Sequence, residues 1–443
     1  MQHSYDGHDR PGGFSRVNLV APLRHRDFAL LWTGQTASLI GDGVFLVAMA
    51  WQVYTISNAP AALSMVGIAM TVPTIVLLLA GGVVSDRFDR RRVLVAADVV
   101  RGVAVGAMAV LSIAGALELW HMFVLVAVYG AGTAFFGPAF DAIVPQLLPA
   151  DELAQANSLD QLVRPIAFRL AGPALGGWMV AGLGVGTAFA IDSVSFAISA
   201  AVVLSMQLGG TAATGGDSLL ADVRQGYAFV RSNVWLWGTL ISAAIAYLLF
   251  LGPVEVLLPY VVKNDLHGSA ADLGLVFAFG GIGSVGAAIA ISQLGQPRRS
   301  VTVIYAAWAV ATLAVAGYGL ARAPWQLMAA SFVFNALETV GTIVWVTLKQ
   351  REVPASLLGR VSSLDWLISI GLLPISFALT GPVAAAIGAQ TTLIAAGVAG
   401  AVATLSALML PGMLEVERSP ASLERLPEAA AAAPGRGSNS EAA

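Results

Sequence analysis

Long apolar segments follow one another along most of the chain, with short polar stretches between them. Each segment has about 20 or more mostly apolar residues, the length an α-helix needs to cross a bilayer. The segments lie near residues 29–55, 62–85, 93–116, 120–144, 158–182, 187–207, 235–261, 272–294, 300–321, 325–348, 363–387 and 390–411. Their apolar runs are continuous rather than alternating, which predicts helices and not a β-barrel. We therefore expect an all-α membrane protein with twelve transmembrane helices in two six-helix halves.

The polar stretches divide the chain into five parts. We predict a cytoplasmic N-terminal segment (1–28), a six-helix half (29–207), a cytoplasmic linker (208–234), a second six-helix half (235–411) and a cytoplasmic tail (412–443). The linker ends in "LLADVRQGYAFVRS", whose apolar residues have the spacing of an amphipathic helix at a membrane surface. The tail is rich in Ala, Pro and Glu and is predicted to be disordered.

The basic residues give the orientation of the spans. With the N-terminus in the cytoplasm, 18 of the 23 Lys and Arg residues fall on the cytoplasmic side. Only Lys263 and Arg322 fall on the opposite side. Because basic residues collect in cytoplasmic loops, both termini are expected in the cytoplasm, with the chain in the inner membrane of a bacterial cell.

Composition narrows the function to gradient-driven transport. The chain is 57% hydrophobic and 11% charged, against about 25% charged in soluble domains. It has no cysteine, which excludes disulfides and Cys-bound metals. "GIGSVG" at 281–286 lies inside an apolar span and favours close helix packing over nucleotide binding. We therefore expect no cofactor, metal or nucleic acid, and a proton gradient as the energy source.

An internal repeat relates the two halves. "PADELAQANSLDQL" (149–162) and "PASLLGRVSSLDWL" (354–367) match at seven of fourteen positions without a gap, at an offset of 205 residues. Six spans separate the two copies, so both lie on the same side of the membrane. This parallel arrangement is typical of transporters whose binding site lies between two halves.

The stretch "GGVVSDRFDRRRVL" (81–94), between spans 2 and 3, resembles the loop signature of the major facilitator superfamily. The matching residues are Gly82, Asp86, Arg87, Arg90 and Arg91. "LIGDGVFLVAMAWQVY" (39–54) and "DVRQGYAFVRSNVWLWG" (222–238) are similar to its drug and siderophore exporter branch, which includes the enterobactin exporter. The resemblance implies two six-helix halves that rock about a central cavity, in a monomer.

The same resemblance implies that this loop is a conformational latch. Asp86 would then lie against the N-terminal end of span 11, whose dipole favours an anion. Arg90 would pair with Asp141 at the end of span 4. The alternative is a loop whose arginines only fix topology. "GPALGG" in span 5 resembles the superfamily's antiporter motif, with Gly172, Pro173, Gly176 and Gly177 as its matching residues.

Several ionisable residues fall inside the apolar spans, where each costs about 2.5–3.5 kcal/mol or more and is a functional candidate. Asp42 and Glu338 lie near the middle of spans 1 and 10, and we predict that one or both carry the coupling proton. Arg169 is a counter-ion for one of them, a ligand for an anionic substrate, or part of a structural pair. Asp98 lies one helical turn from Arg101, which favours a structural ion pair.

These features predict proton-coupled efflux of amphipathic small molecules, such as drugs or siderophore-like compounds. The proposed substrate cavity is lined by Arg169, Glu255, Trp51, Tyr247 and Phe250, whose bulky apolar groups suit such cargo. The expected partners are this substrate and the lipid bilayer. A nutrient importer is a second possibility, and a membrane scaffold without transport activity is a third. Acids at mid-depth of the membrane carry a free-energy cost and have no use in a scaffold, which counts against the third possibility.

Overall fold

A computed structural model describes residues 20–149, 152–207, 219–294 and 297–418. Within these ranges the chain is helical and contains no strand. Twelve of its helical segments are long and apolar enough to cross a membrane, which confirms the predicted spans. The N-terminal residues 1–19 and the C-terminal residues 419–443 lie outside the described residues.

The helices have the following bounds. The first seven are α1 (Arg26–Ile56), α2 (Pro60–Arg87), α3 (Arg90–Ile113), α4 (Leu119–Leu147), α5 (Leu153–Arg164), α6 (Gly172–Leu183) and α7 (Val185–Leu204). The linker helix is α8 (Leu219–Ser232). The rest are α9 (Val234–Tyr260), α10 (Ala270–Leu294), α11 (Ser300–Leu320), α12 (Pro324–Glu352), α13 (Ala355–Gly371), α14 (Leu373–Ile387), α15 (Ala389–Ser406) and α16 (Glu415–Arg418). Pro165–Ala171 and Val261–Asp265 are π-helical.

The chain forms two compact units. Unit 1 comprises Met1–Gly215 and His267–Gly281, and unit 2 comprises Gly216–Leu266 and Ile282–Ala443. The first part of α10 therefore belongs with unit 1, although the sequence assigned the whole span to the second half. Its backbone touches α6 closely, since a Cβ atom on Gly177 would lie 2.8 Å from Cα of Gly274.

In unit 1, α1 packs on α6 and α7, α3 packs on α4 and α7, and α2 packs on α4. The charged stretch 86–92, called the charged loop below, covers the end of α2, a turn at 88–89 and the beginning of α3. The beginnings of α1 and α5 and the end of α4 lie at the same end of the unit. We call this the charged-loop end. Apolar side chains fill it, among them Phe28, Leu94, Phe136 and Ile143.

In unit 2, α11 packs on α12 and α15, and α9 packs on α14 and α15. The linker contains the helix α8, which packs on α9 and α13. Its Val230 is buried in a core with Trp235, Leu236 and Tyr305.

The tail is ordered further than predicted. Residues 412–418 form turns and the short helix α16. The carboxylate of Glu417 accepts hydrogen bonds from the backbone N–H of Thr302, at 2.7 Å, and from its hydroxyl, at 3.0 Å. An acid at the start of α11 is stabilised by the otherwise unpaired amides and by the helix dipole. The prediction of disorder from residue 412 is therefore wrong for these seven residues.

Candidate functional site

Ionisable side chains from four helices of unit 1 converge near the middle of their helices. They are Asp42 of α1, Asp98 and Arg101 of α3, Tyr129 of α4 and Asp192 of α7. Asp98 and Asp192 are 0% exposed and Arg101 is 4% exposed. Because each buried charge costs several kcal/mol, such a cluster inside membrane helices marks a candidate functional site.

Tyr129 holds the side chain of Asp42. The tyrosine hydroxyl donates a hydrogen bond to Oδ1 of Asp42 at 2.6 Å, a length typical of an O–H donor and a carboxylate. The tyrosine ring stacks on Phe45, with ring centroids 4.8 Å apart. These two contacts fix the carboxylate of Asp42 between α1 and α4.

Arg101 is held by an acid and two aromatic rings. Its Nη2 lies 2.5 Å from Oδ1 of Asp98, so the predicted Asp98–Arg101 ion pair is confirmed. The guanidinium carbon lies 4.3 Å from the ring centroid of Phe136 and 4.5 Å from that of Phe196. Both rings are within cation–π range. Arg101 also interacts electrostatically with Asp42, so one guanidinium serves carboxylates from two helices.

Asp192 packs directly against the backbone of α1. A Cβ atom on Gly41 would lie 2.3 Å from Oδ1 of Asp192, so only glycine fits there. The hydroxyl of Ser195 lies 3.2 Å from the same carboxylate oxygen. Oδ2 of Asp192 and Nε of Arg101 are buried and have no hydrogen-bond partner in the part of the chain that the structure describes. The same holds for Oδ2 of Asp98, so three polar atoms of the cluster retain unused hydrogen-bonding capacity among the described residues.

The charges of the cluster do not balance when every group is ionised. Three carboxylates then share one guanidinium, which leaves two negative charges in an apolar interior. Charges closer together than about 6 Å in such surroundings are costly unless they are compensated. Binding of one proton halves this excess negative charge, and binding of two protons removes it. The cluster is therefore chemically suited to take up and release protons.

The predicted site residues of unit 2 lie on α9 and α12. Glu338 is half-buried, and its Oε1 accepts a hydrogen bond from the Thr342 hydroxyl at 3.0 Å. Glu255 is half-buried on α9. The ring of Phe250 is buried and makes edge contacts with Tyr247 at 5.6 Å and with Phe334.

The remaining predicted cavity residues belong to unit 1. Trp51 is half-buried on α1. Arg169 is exposed and lies in the π-helical segment before α6. Single π-helical turns are frequent at functional sites in proteins.

The glycine motif of span 5 forms a packing face on two sides. Gly172, Pro173, Gly176 and Gly177 are all buried. A Cβ atom on Gly172 would lie 2.7 Å from Cα of Gly43 in α1. Gly177 faces α10 in the same way, as described above. Small residues at these positions let the three helix backbones approach closely.

The arginines of the charged loop contact helix backbones. Nη1 of Arg90 donates to the carbonyl oxygen of Ala142 at 2.9 Å, one residue beyond the predicted partner Asp141. Nε of Arg91 donates to the carbonyl oxygen of Val203 at 3.1 Å, at the end of α7. Arg87 is exposed and Gly82 is half-buried. The side chain of Asp86 lies outside the described residues.

Two sets of polar contacts between helices were not predicted from the sequence. The first is the hydrogen bond from Tyr129 to Asp42, which no sequence pattern indicates because the two residues lie on different helices. The second set is in unit 2, where Asp365 accepts hydrogen bonds from Nζ of Lys349 at 2.6 Å and from Nε1 of Trp345 at 3.0 Å. The repeat pointed to Asp365 through its match with Asp160, but not to the partners. Among the described residues, no group of three or more metal-ligating side chains is placed to hold a metal ion.

Comparison with known proteins agrees with this arrangement of helices. Residues 17–437 match the family model described as transmembrane secretion effector. The chain is 23% identical to macrolide efflux protein A of Streptococcus pyogenes over 371 residues, covering 82% of this chain and 90% of that protein. It is 28% identical to multidrug efflux pump Tap of Mycobacterium tuberculosis over 399 residues, covering 86% and 92%. A mutant form of the nucleoside transporter NupG has a similar fold, with a TM-score of 0.67, 13% identity and coverage of 86% and 99%.

Proposed function

Because the chain belongs to the transmembrane secretion effector family of the major facilitator superfamily, it is a membrane transporter, and we propose that it exports amphipathic small molecules in exchange for protons. The names of the relatives support the direction and the class of cargo, since both relatives are efflux proteins. A siderophore-like compound belongs to the same class. The runner-up, import of a nutrient, has no such support.

The observation that carries the proton coupling is the buried cluster of unit 1. Asp42, Asp98 and Asp192 share Arg101, so the number of bound protons depends on how close the guanidinium lies to each carboxylate. A conformational change that moves α1 relative to α3 alters that distance. Proton binding and conformation are then linked, and each shifts the equilibrium of the other. Asp42 is the principal proton carrier in this proposal, because Tyr129 orients it.

Other roles follow from the same proposal. Glu338 is a second proton site, and Arg169 is a counter-ion or an anchor for cargo. Asp86 and the arginines of the charged loop form the conformational latch. The distribution of basic residues supports cytoplasmic termini and a bacterial cell membrane. The protein works as a monomer.

The test is substrate-driven proton movement in proteoliposomes, followed with a pH-sensitive dye trapped inside. The probes are erythromycin, a macrolide, and ethidium, an amphipathic cation. We compare the natural protein with Asp42→Asn, Asp192→Asn, Glu338→Gln and the double variant Asp42→Asn/Glu338→Gln. Glu352→Gln is the matched control, because Glu352 is an exposed acid at the end of α12.

Asp42→Asn is expected to reduce proton movement at least tenfold, since it removes the titratable group with almost no change in volume. Glu352→Gln is expected to match the natural protein. If the double variant still moves protons with either probe at the normal rate, the coupling site lies elsewhere. If the natural protein transports a probe but moves no protons, proton exchange is excluded.

A further inference from the structure

A cavity of about 240 Å³ lies at the charged-loop end of unit 1, between α1, α4 and α5. Its walls combine apolar side chains, among them Phe28, Trp32 and Phe140, with polar groups. Asp141 and Asp160 also line it. Complete drug sites are commonly about 300–1,000 Å³, so this cavity fits one end of an amphipathic molecule or a small organic ion.

The charge of the cavity is negative. Asp160 pairs with Arg164 on its own helix, with Nε and Oδ2 3.2 Å apart. Asp141 is exposed and makes no hydrogen bond among the described residues, and the Arg164 guanidinium that pairs with Asp160 also interacts electrostatically with it. The nearby Arg90 donates instead to the carbonyl oxygen of Ala142. One carboxylate is thus left over, and aromatic faces beside it attract cations.

The equivalent position in unit 2 is occupied by an ammonium group of the chain itself. The gap-free repeat offset of 205 residues relates Asp160 to Asp365, Phe140 to Trp345 and Val144 to Lys349. In unit 2 the lysine ammonium lies 2.6 Å from the carboxylate of Asp365 and 5.7 Å from the Trp345 ring centroid.

In unit 1 the lysine is replaced by Val144, which lines the cavity. Ala156 also lines the cavity and corresponds to the larger Val361 of unit 2, which is fully buried. The smaller residues of unit 1 leave space where the chain's own ammonium lies in unit 2.

We propose that this cavity of unit 1 binds a monovalent organic ammonium group. This inference rests on the proposed function: the cavity is a site for the cationic end of the exported molecule. The ammonium contacts Asp141 and Asp160, and its apolar substituents contact Phe28, Trp32 and Phe140. The preferred cargo is therefore cationic as well as amphipathic.

The experiment measures binding of benzyltrimethylammonium to the purified full-length protein by titration calorimetry, with no ion gradient. Phenylmethanesulfonate, a benzyl compound of opposite charge, is the matched probe. The cation is expected to bind at least tenfold more tightly than the anion. Asp141→Asn and Asp160→Asn are each expected to weaken cation binding about tenfold, within the range of a charge contact in a partly enclosed site.

Val144→Lys tests the site by adding an ammonium group rather than by removing a carboxylate. Its ammonium can reach Asp160 as Lys349 reaches Asp365, and we expect cation binding to fall at least tenfold. Glu352→Gln again serves as the control, with unchanged binding. Asp160→Glu keeps the charge and is expected to bind the cation within threefold of the natural protein, which separates lost charge from lost folding.

Equal binding of cation and anion would overturn the proposal, as would normal cation binding by Val144→Lys and both Asn variants. The outcome is independent of proton coupling. Cation binding without proton movement in proteoliposomes contradicts only the proposed exchange mechanism. Proton-coupled transport with no cation binding at this cavity contradicts only the present inference.

Discussion

Asp160 of unit 1 and Asp365 of unit 2 occupy equivalent positions in the repeat, but their surroundings differ. Asp365 is tied to the preceding helix, because Lys349 and Trp345 of α12 both donate to it. Among the described residues, the ion-pair partner of Asp160 is Arg164, four residues along its own helix. The same pair of helices is therefore joined by an ion pair in unit 2 and separated by a cavity in unit 1.

This difference shows how one acid, repeated in both units, can serve stability in one unit and ligand binding in the other. In unit 2 the acid is neutralised by the chain itself and contributes to stability. In unit 1 the acid pairs with an arginine of its own helix and lines a cavity, where we propose that it contributes to binding. We expect stability to depend strongly on the acid of unit 2 and weakly on the acid of unit 1.

The largest loss of stability is expected from Lys349→Met. The lysine side chain is 8% exposed and that of Asp365 is 16% exposed, so the loss leaves a poorly solvated carboxylate. We expect the free energy of unfolding in detergent to fall by about 3 kcal/mol. Arg351→Met, at an exposed position on the same helix, is expected to change it by less than about 0.5 kcal/mol. Equal effects of the two variants would remove the distinction between the units.

A smaller effect is expected from Trp345→Phe, which gives unit 2 the residue present in unit 1. The variant removes the indole N–H that donates to Asp365 at 3.0 Å. A hydrogen bond to a charged group contributes about 1.5–3 kcal/mol, and we expect a loss of about 1.5 kcal/mol in thermal unfolding. Trp325→Phe is the control, since Trp325 is 66% exposed on the same helix. A loss no greater than that of the control would exclude a role for the indole.

The smallest effect is expected from Arg164→Gln in unit 1. The arginine side chain is 45% exposed, and exposed pairs of this spacing contribute about 0.3–0.5 kcal/mol. The unfolding free energy should change by no more than that amount. Cation binding, measured in the same sample, should not weaken, because the cavity becomes more negative. A large loss of stability would mean that unit 1 also relies on its acid for folding.

Sequence patterns predicted contacts within a helix better than contacts between helices. The twelve spans, the linker helix and the Asp98–Arg101 pair follow from apolar length, helical spacing and a separation of one turn. The contacts of Asp42 with Tyr129 and of Asp192 with Gly41 join helices far apart in the chain. Periodicity shows which residues share a face of one helix, but not which helices meet, so these contacts required the structure.

The contact made by Glu417 near the end of the chain was likewise not predictable from the sequence. The composition after residue 411 is polar, and nothing in the pattern distinguishes Glu417 from the other acids of the tail. Only the packing of α16 beside α11 gives this acid a partner. The place of 267–281 in unit 1 is likewise a result of helix contact, since the glycines of α6 and α10 touch.

The contact between Glu417 and Thr302 has a practical consequence for reporter fusions. A reporter joined after Arg418 leaves the carboxylate of Glu417 on the first turn of α11, so the protein is measured in its own folded form. A reporter joined at residue 411, where the apolar sequence ends, would delete this carboxylate and expose two hydrogen-bond donors of Thr302. Topology and expression measured with the shorter fusion would then report on an altered protein, and a fall in yield could be mistaken for a wrong orientation.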